Sequence, residues 1–291
     1  MLRKKTALKL RKAHRYLGIF IRIQFKYFKM GEIKMKTLCH KNKVLTAILV
    51  SVLSLSCGTS EEKSEGEKVI EKSIEASGGR NYENAEIDFT FRNRRYKSKR
   101  NGDIFRLERT VKDSTGNTTH DVLDNQGLKR FVNSKAVIVP DSMVTRISDG
   151  VNSVHYFVQV PFVLNSPAAN KELLGEDEVE GDTYYQVKVT FRKEGGGTDF
   201  EDEFLYWIHK ENFTVDYLAY RFFTNDGGIR FRKAVNPRIV EGIRFVDYQN
   251  YKTNELSTPL RDLDTLYEAG KLEFFSDIQT ENISVSINKN N

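Results

Sequence analysis

His120, His155 and His209 are the histidines beyond residue 57, and they bound what acid–base or metal chemistry the chain could perform. None has a second histidine four residues away, and neither H-E-x-x-H nor H-x-H occurs, so zinc-type ligation has no support. A serine nucleophile presented on G-x-S-x-G is absent. The glycine runs Gly195-Gly196-Gly197 and Gly227-Gly228 have no following G-K-[ST] and read as hairpin turns rather than phosphate cradles. His155 falls on an apolar helical stripe, the place of a core histidine, and His209-Lys210-Glu211 reads as a polar turn at a strand end. The catalytic residues therefore stay unknown, and no metal or cofactor is implied.

Binding chemistry is better represented. Aromatic residues concentrate in the second half of the chain. Phe157, Phe162, Trp207, Tyr217, Tyr220, Phe231 and Tyr248 are candidate walls of an apolar ligand cavity, with ordinary core packing as the alternative. Arg230-Phe231-Arg232 places two guanidiniums on one strand face. Either they are solvated or ion-paired, or their planar forks clamp the carboxylate or phosphate head group of a ligand.

The other chemically distinctive position is Cys57, at the border between "LTAILVSVLSLS" and the polar "GTSEEKSEGE". The apolar run from Val44 to Leu55 is too short for a membrane-spanning helix, which needs about 20 residues. It has the proportions of a signal-peptide core, preceded by Lys36, His40, Lys41 and Lys43. Leu53-Ser54-Leu55-Ser56-Cys57-Gly58 resembles a bacterial lipobox, with Ser54 standing where leucine is more usual. The resemblance implies cleavage before Cys57 and acylation there. Each buried CH₂ contributes about 0.8 kcal/mol, so two or more chains hold a protein stably on a bilayer. Gly58, in place of an aspartate, implies release from the inner membrane and residence at the outer one, leaflet unresolved. Residues 1–34 are expected to be an over-long gene start, residues 35–56 the lipoprotein signal peptide, residues 57–66 a flexible tether and residues 67–291 a single domain. Cys39 falls within the discarded part, so no disulfide framework remains.

Charge supports this division. The formal charge of +6 and pI near 9.0 point at first to nucleic acid. Residues 1–57 hold 14 of the 46 Lys and Arg and one acid, Glu32, which leaves 32 bases against 39 acids, a formal −7. Nucleic acid is thereby excluded as a leading partner.

The elements that must position these residues follow from periodicity. Val69, Ile70 and Ile74 give Glu67–Ser77 a helical stripe, stopped by Gly78-Gly79. Thereafter the period is two. Ile87, Phe89 and Phe91 alternate with polar residues, as do Phe105 and Leu107, and Tyr185, Val187, Val189 and Phe191. This is the mark of antiparallel strands with one dry face. Turns are expected at "RNGD", "STGN", "NQG", "EGGGT" and "NDGG". Asp141–Leu164 breaks the rhythm with a three-and-four pattern, a helix that Asp141 caps and Pro161 ends or kinks. Leu260–Ala269 is expected to be helical, with strands at Leu272–Ile278 and Ile283–Ile287. Phe204-Leu205-Tyr206-Trp207-Ile208 is apolar on both parities, so both faces of that strand must be covered.

In this order, with "GDTYYQVKVTF", "LYWIHKENFTVDYLAY" and "GIRFRKAVNPRIVEGIRFVDYQNY", the chain resembles an uncharacterised family of bacterial envelope lipoproteins. More distantly it resembles the LolA/LolB-like lipoprotein carriers. That resemblance implies a mainly β fold, an antiparallel, unclosed β-barrel (LolA-like half-barrel) with helices packed on the concave face. It also implies an apolar ligand, a lipid or acyl chain, in the cavity. The expected function is non-catalytic binding of that ligand by an envelope-anchored lipoprotein. A hydrolase-type envelope enzyme and a structural or partner-binding lipoprotein are the alternatives, with the protein partner unknown.

Overall fold

The computed structural model describes residues 62–102, 104–194, 200–224 and 226–288. The expected signal peptide, Cys57, residues 1–34, residues 195–198 of the "EGGGT" turn and half of the expected tether lie outside the described residues, and Glu65 and Gly66 of that tether belong to the first helix.

Helix α1 (Glu65–Ala76) opens the fold. Ser64 caps it through a capping box: its side chain accepts from the Glu67 backbone N–H while Glu67 reaches back to the Ser64 N–H. Its stripe of Val69, Ile70 and Ile74 is buried. A 3₁₀ turn, Gly79–Asn84, then leads into the first meander.

That meander is β1 (Ala85–Phe91), β2 (Arg94–Asn101), β3 (Ile104–Lys112), β4 (Thr118–Asp124), β5 (Gly127–Val132) and β6 (Lys135–Val137). Helix α2 (Asp141–Val158) crosses to the second meander. This comprises β7 (Ala169–Val179), β8 (Asp182–Phe191), β9 (Glu203–His209), β10 (Val215–Phe222), β11 (Gly228–Val240), β12 (Ile243–Thr253) and, after the short helix α3 (Leu263–Glu268), β13 (Glu273–Ile278). Strand β14 (Glu281–Ile287) returns to pair with β1. Two seven-stranded antiparallel sheets result, ordered β14-β1-β2-β3-β4-β5-β6 and β13-β12-β11-β10-β9-β8-β7, and neither closes on itself.

Helix α2 starts differently from expectation. Pro140 occupies the N-cap position and no side chain caps the end; Asp141 is the first helical residue. Proline's fixed φ suits this entrance, and the Asp141 carboxylate faces the positive pole of the helix from within its first turn. The helix ends at Val158, short of Pro161, which begins a 3₁₀ turn, Phe162–Asn165.

The core sits on both faces of the second sheet. On the face toward α1 and α2, Val187, Val189, Phe204, Tyr206, Ile208 and Leu218 pack with Val69, Ile70 and Ile74. On the other, Leu205, Trp207, Tyr217, Ile229 and Phe231 pack with Leu263 and Leu272. The double-parity strand β9 is covered on both sides, as its sequence requires. The helices are divided: α1 and α2 lie on one face, α3 on the opposite one. Helix α2 also touches the first sheet, where Val154 and Val158 join Tyr82, Ile87, Phe89 and Tyr96. A buried carboxylate, Asp121, stiffens that sheet. It accepts from Arg109 at 2.8 Å and from Arg130 at 2.6 Å, and the two guanidiniums hold it below the usual carboxylate range against the upward pull of burial.

Candidate functional site

The seven aromatic candidates fall into two groups on opposite faces of the second sheet. Phe157, Phe162, Tyr220 and Tyr248 belong to the α2 face. Trp207, Tyr217 and Phe231 belong to the α3 face. Strand pairing explains the division. Trp207 stands opposite Tyr217, and Phe204 opposite Tyr220. Tyr217 and Tyr220 are three residues apart on one strand and so point to opposite faces. That odd spacing was the signal in the sequence that the seven residues do not line one wall.

Around Arg232 the α2 face becomes chemically unusual. Arg232 is only 7 % exposed. Its guanidinium lies 3.8 Å from the Phe157 ring centroid, 5.0 Å from Tyr220 and 5.8 Å from Tyr248. One terminal N–H donates to the Tyr220 hydroxyl at 2.7 Å. The Nε–H is buried with no acceptor, and among the described residues no carboxylate makes an ion pair with this group. Asn250 sits directly opposite on β12, also with a buried unpartnered oxygen, Oδ1. Burial of a charge is costly unless it is paired and fully hydrogen-bonded. Arg232 has aromatic faces, worth about 0.5–2 kcal/mol each in such settings, but no anion.

Arg230 shares the strand face but not the depth. It lies over Phe222 and Phe275 at 5.2 and 4.8 Å, near the strand end. A third guanidinium, Arg100 on β2, donates from Nε to the Gln159 side chain at 3.3 Å and rests over Phe162. Gln159 follows the last residue of α2 and is fully buried with Nε2 unpartnered. Asn250, Arg100 and Gln159 carried no signal in the sequence, because only the folded sheets bring them to the helix.

The seam between α2 and the second sheet is packed. Phe157 covers Arg232, and Tyr156 reaches the Tyr206 hydroxyl at 2.7 Å. Burial drives the Tyr156, Tyr206 and Tyr248 hydroxyls upward, Tyr248 to about 12, so all stay neutral and serve only as hydrogen-bonding groups.

The histidines occupy plain positions. His155 is 1 % exposed, edge-on to Phe89 and Tyr96, and its Nε2–H donates to the Glu108 carbonyl at 3.0 Å. Burial lowers its pKa to about 4. Against about 6.5 for the unfolded chain, the group contributes stability above pH 6.5 that is lost as pH falls through 4, about 3 kcal/mol in all. In urea titrations at stepped pH, His155→Gln should lack that acid-limb loss; an unchanged profile would refute the assignment. His209 Nδ1 accepts the Glu211 N–H at the end of β9. His120 pairs with Glu108 at 2.6 Å on the first sheet. No group of three or more His, Cys, Asp or Glu capable of holding a metal occurs among the described residues.

On the α3 face, a cleft of about 460 Å³ is lined by Glu180, Tyr251, Tyr267, Glu268, Gly270 and Leu272. The Glu180 carboxylate is already committed to Tyr217, Lys233 and Tyr267. Deeper on this face the Trp207 Nε1–H donates to Asp264 at 3.2 Å. Burial and then the neighbouring Asp177 carboxyl raise the Asp264 pair, so that one proton is kept up to about pH 7.

Two open antiparallel meanders flanking a helix, with a guanidinium buried against that helix, define an unclosed half-barrel. The chain belongs to the DUF6503 family, a family of unknown function, whose model matches residues 42–280. No curated protein matches it. Among solved structures it is similar to a LolA-superfamily protein from Nitrosomonas europaea, at 11 % identity and TM-score 0.43, covering 77 % of this chain and 92 % of that one. It is also similar to an outer-membrane lipoprotein-sorting protein domain from Vibrio parahaemolyticus, at 8 % identity and TM-score 0.37, covering 70 % and 97 %. A DUF1329 family protein from Desulfovibrio piger is similar at 10 % identity and TM-score 0.37, covering 76 % and 93 %.

Proposed function

We propose that this chain is an envelope lipoprotein, acylated at Cys57 and held at the outer membrane, that binds an anionic amphiphile without catalysis. The head group sits on Arg232, and the apolar tail lies along the aromatic seam beneath α2. The observation that carries this reading is the buried guanidinium with an unsatisfied Nε–H and, among the described residues, no carboxylate paired with it. A carboxylate or phosphate there would fill the missing hydrogen bond and neutralise the charge, the strongest type of polar contact available. Phe157, Tyr220 and Tyr248 already frame the position.

Because Phe157 fills the seam, a tail enters only as α2 moves away from the second sheet. Opening exposes buried side chains that ligand then covers again, which is how an apolar site can be closed when empty. Among the described residues no helix is long and apolar enough to cross a membrane, and the acyl group at Cys57 supplies attachment in this reading. Native mass spectrometry of the Cys57→Ser chain, purified from its own envelope, tests the proposal. A bound species of lipid mass that carries a phosphate or carboxylate is expected. Only ligand-free protein, also after incubation with phosphatidylglycerol and with free fatty acid, would sink it.

A further inference from the structure

All three exposed phenylalanines among the described residues lie at one end of the second sheet. Phe223 follows the last residue of β10, and Phe274 and Phe275 are the second and third residues of β13; they are 56, 51 and 49 % exposed. Leu256, just beyond β12, is 51 % exposed. Cations are interleaved with these rings. Arg230 lies over Phe222 and Phe275, and Lys252 lies 5.3 Å from Phe275. Lys252 is neutralised by Glu273 at 3.0 Å, whereas no carboxylate among the described residues makes an ion pair with Arg230. Exposed phenyl rings and leucine beside an unpaired guanidinium have the composition of a surface that enters the headgroup boundary of an anionic bilayer.

The same end of the sheet receives the start of the domain. Pairings run in one row from Lys171 through Val189, Phe204, Tyr220 and Arg230 to Lys252. Ser64, which caps α1, donates to the Lys171 carbonyl at 3.4 Å. Gly66 lies so close to this residue that a Cβ would meet its carbonyl oxygen at 2.6 Å. The first turn of α1 is thus fixed to the row that ends at the aromatic patch. Seven peptide steps separate Cys57 from Ser64 and span at most about 25 Å, so the acylation proposed at Cys57 would keep this end of the sheet near the bilayer.

We infer that the strand-end edge formed by Phe223, Leu256, Phe274 and Phe275, with Arg230, is a second membrane contact. It seats the domain on an anionic phospholipid surface in one fixed orientation. The inference rests on acylation at Cys57. The test uses the full acylated chain in vesicles of phosphatidylglycerol and phosphatidylcholine with brominated acyl chains, which quench tryptophan in the bilayer. Phe223→Trp, Phe275→Trp and Ile239→Trp are compared against the wild type, whose single tryptophan, Trp207, is fully buried. Ile239 is 64 % exposed and lies on the same strand as Arg230, about 30 Å further along. Quenching at positions 223 and 275 at least about twofold greater than at 239 is expected. Equal or absent quenching at all three positions, in a chain whose intact mass includes the acyl chains, overturns this contact alone. A mass without acyl chains overturns the anchor and, with it, the orientation.

Discussion

Arg232→Met is expected to leave the fold as stable as the wild type, or more stable, while binding of the anionic amphiphile weakens tenfold or more. The two halves of that expectation have separate causes. A guanidinium that is 7 % exposed and without an anion has lost hydration that its surroundings replace only in part. Methionine has a similar length, fills the slot between Phe157 and Tyr220, carries no charge to desolvate, and offsets part of the lost cation–ring attraction through contacts of its sulfur with the same rings. Replacing buried charges by well-packed apolar groups is often neutral or stabilising by about 1–4 kcal/mol. The single hydrogen bond lost is the one to the hydroxyl of Tyr220, a half-buried residue. A charge-assisted bond to a ligand is worth about 1.5–3 kcal/mol, about tenfold to a hundredfold in affinity. Thermal melting together with titration of a fluorescent fatty acid reads both. If Arg232 merely holds the seam together, the variant melts several degrees lower and any ligand binds as before, the opposite on both counts. Arg232→Lys should fall between, since it keeps the charge and loses the planar fork.

Much of the scaffold around Arg232 was legible because local rules and tertiary structure agree. The alternation of Ile87, Phe89 and Phe91, and of Tyr185, Val187, Val189 and Phe191, appears as strands β1 and β8. Turn glycines at 102, 116 and 127 take the positive φ that their turns demand. Where the two disagree the sequence was silent. Strand β7 reads "ANKELLGEDEV", and its period is broken by an irregularity in the pairing between Leu173 and Gly175, where Gly175 takes φ +140°. One extra residue there reverses the parity of everything that follows. Residues 230 and 232 share a face by parity, yet parity says nothing about depth along the strand. Arg230 reaches the edge of the sheet and Arg232 lies under α2. The split of the aromatics was legible in part, from the odd spacing of Tyr217 and Tyr220. The pairing of Asp177 with Asp264 was not, because the two are brought together only when α3 docks on the outer face.

That pairing yields the expected result with the clearest sign. Asp264→Asn should destabilise the chain at pH 4 by about 1 kcal/mol and stabilise it at pH 8 by about 2–3 kcal/mol. In the unfolded chain Asp264 ionises near pH 3.9; in the fold the pair keeps its proton up to about pH 7. A carboxyl raised in this way contributes stability that is fully present below the unfolded value and is lost as pH rises toward 7. Asparagine is neutral throughout and escapes that loss. It cannot copy every hydrogen bond, because Asp264 accepts both the Thr265 N–H at 2.8 Å and the Trp207 Nε1–H at 3.2 Å, one on each oxygen. The single amide oxygen satisfies one of them, which accounts for the cost at pH 4. The slope is opposite to that of His155, whose contribution grows with pH between about 4 and 6.5. In the wild type these two contributions run in opposite directions across that interval and offset one another. Removing Asp264 exposes the histidine's rise, and removing His155 exposes the carboxyl's fall. Urea unfolding of both variants at pH 4, 5.5, 7 and 8 separates these contributions. If Asp264→Asn is destabilising at every pH, the shared proton does not exist and the carboxyl is an ordinary acceptor for Trp207.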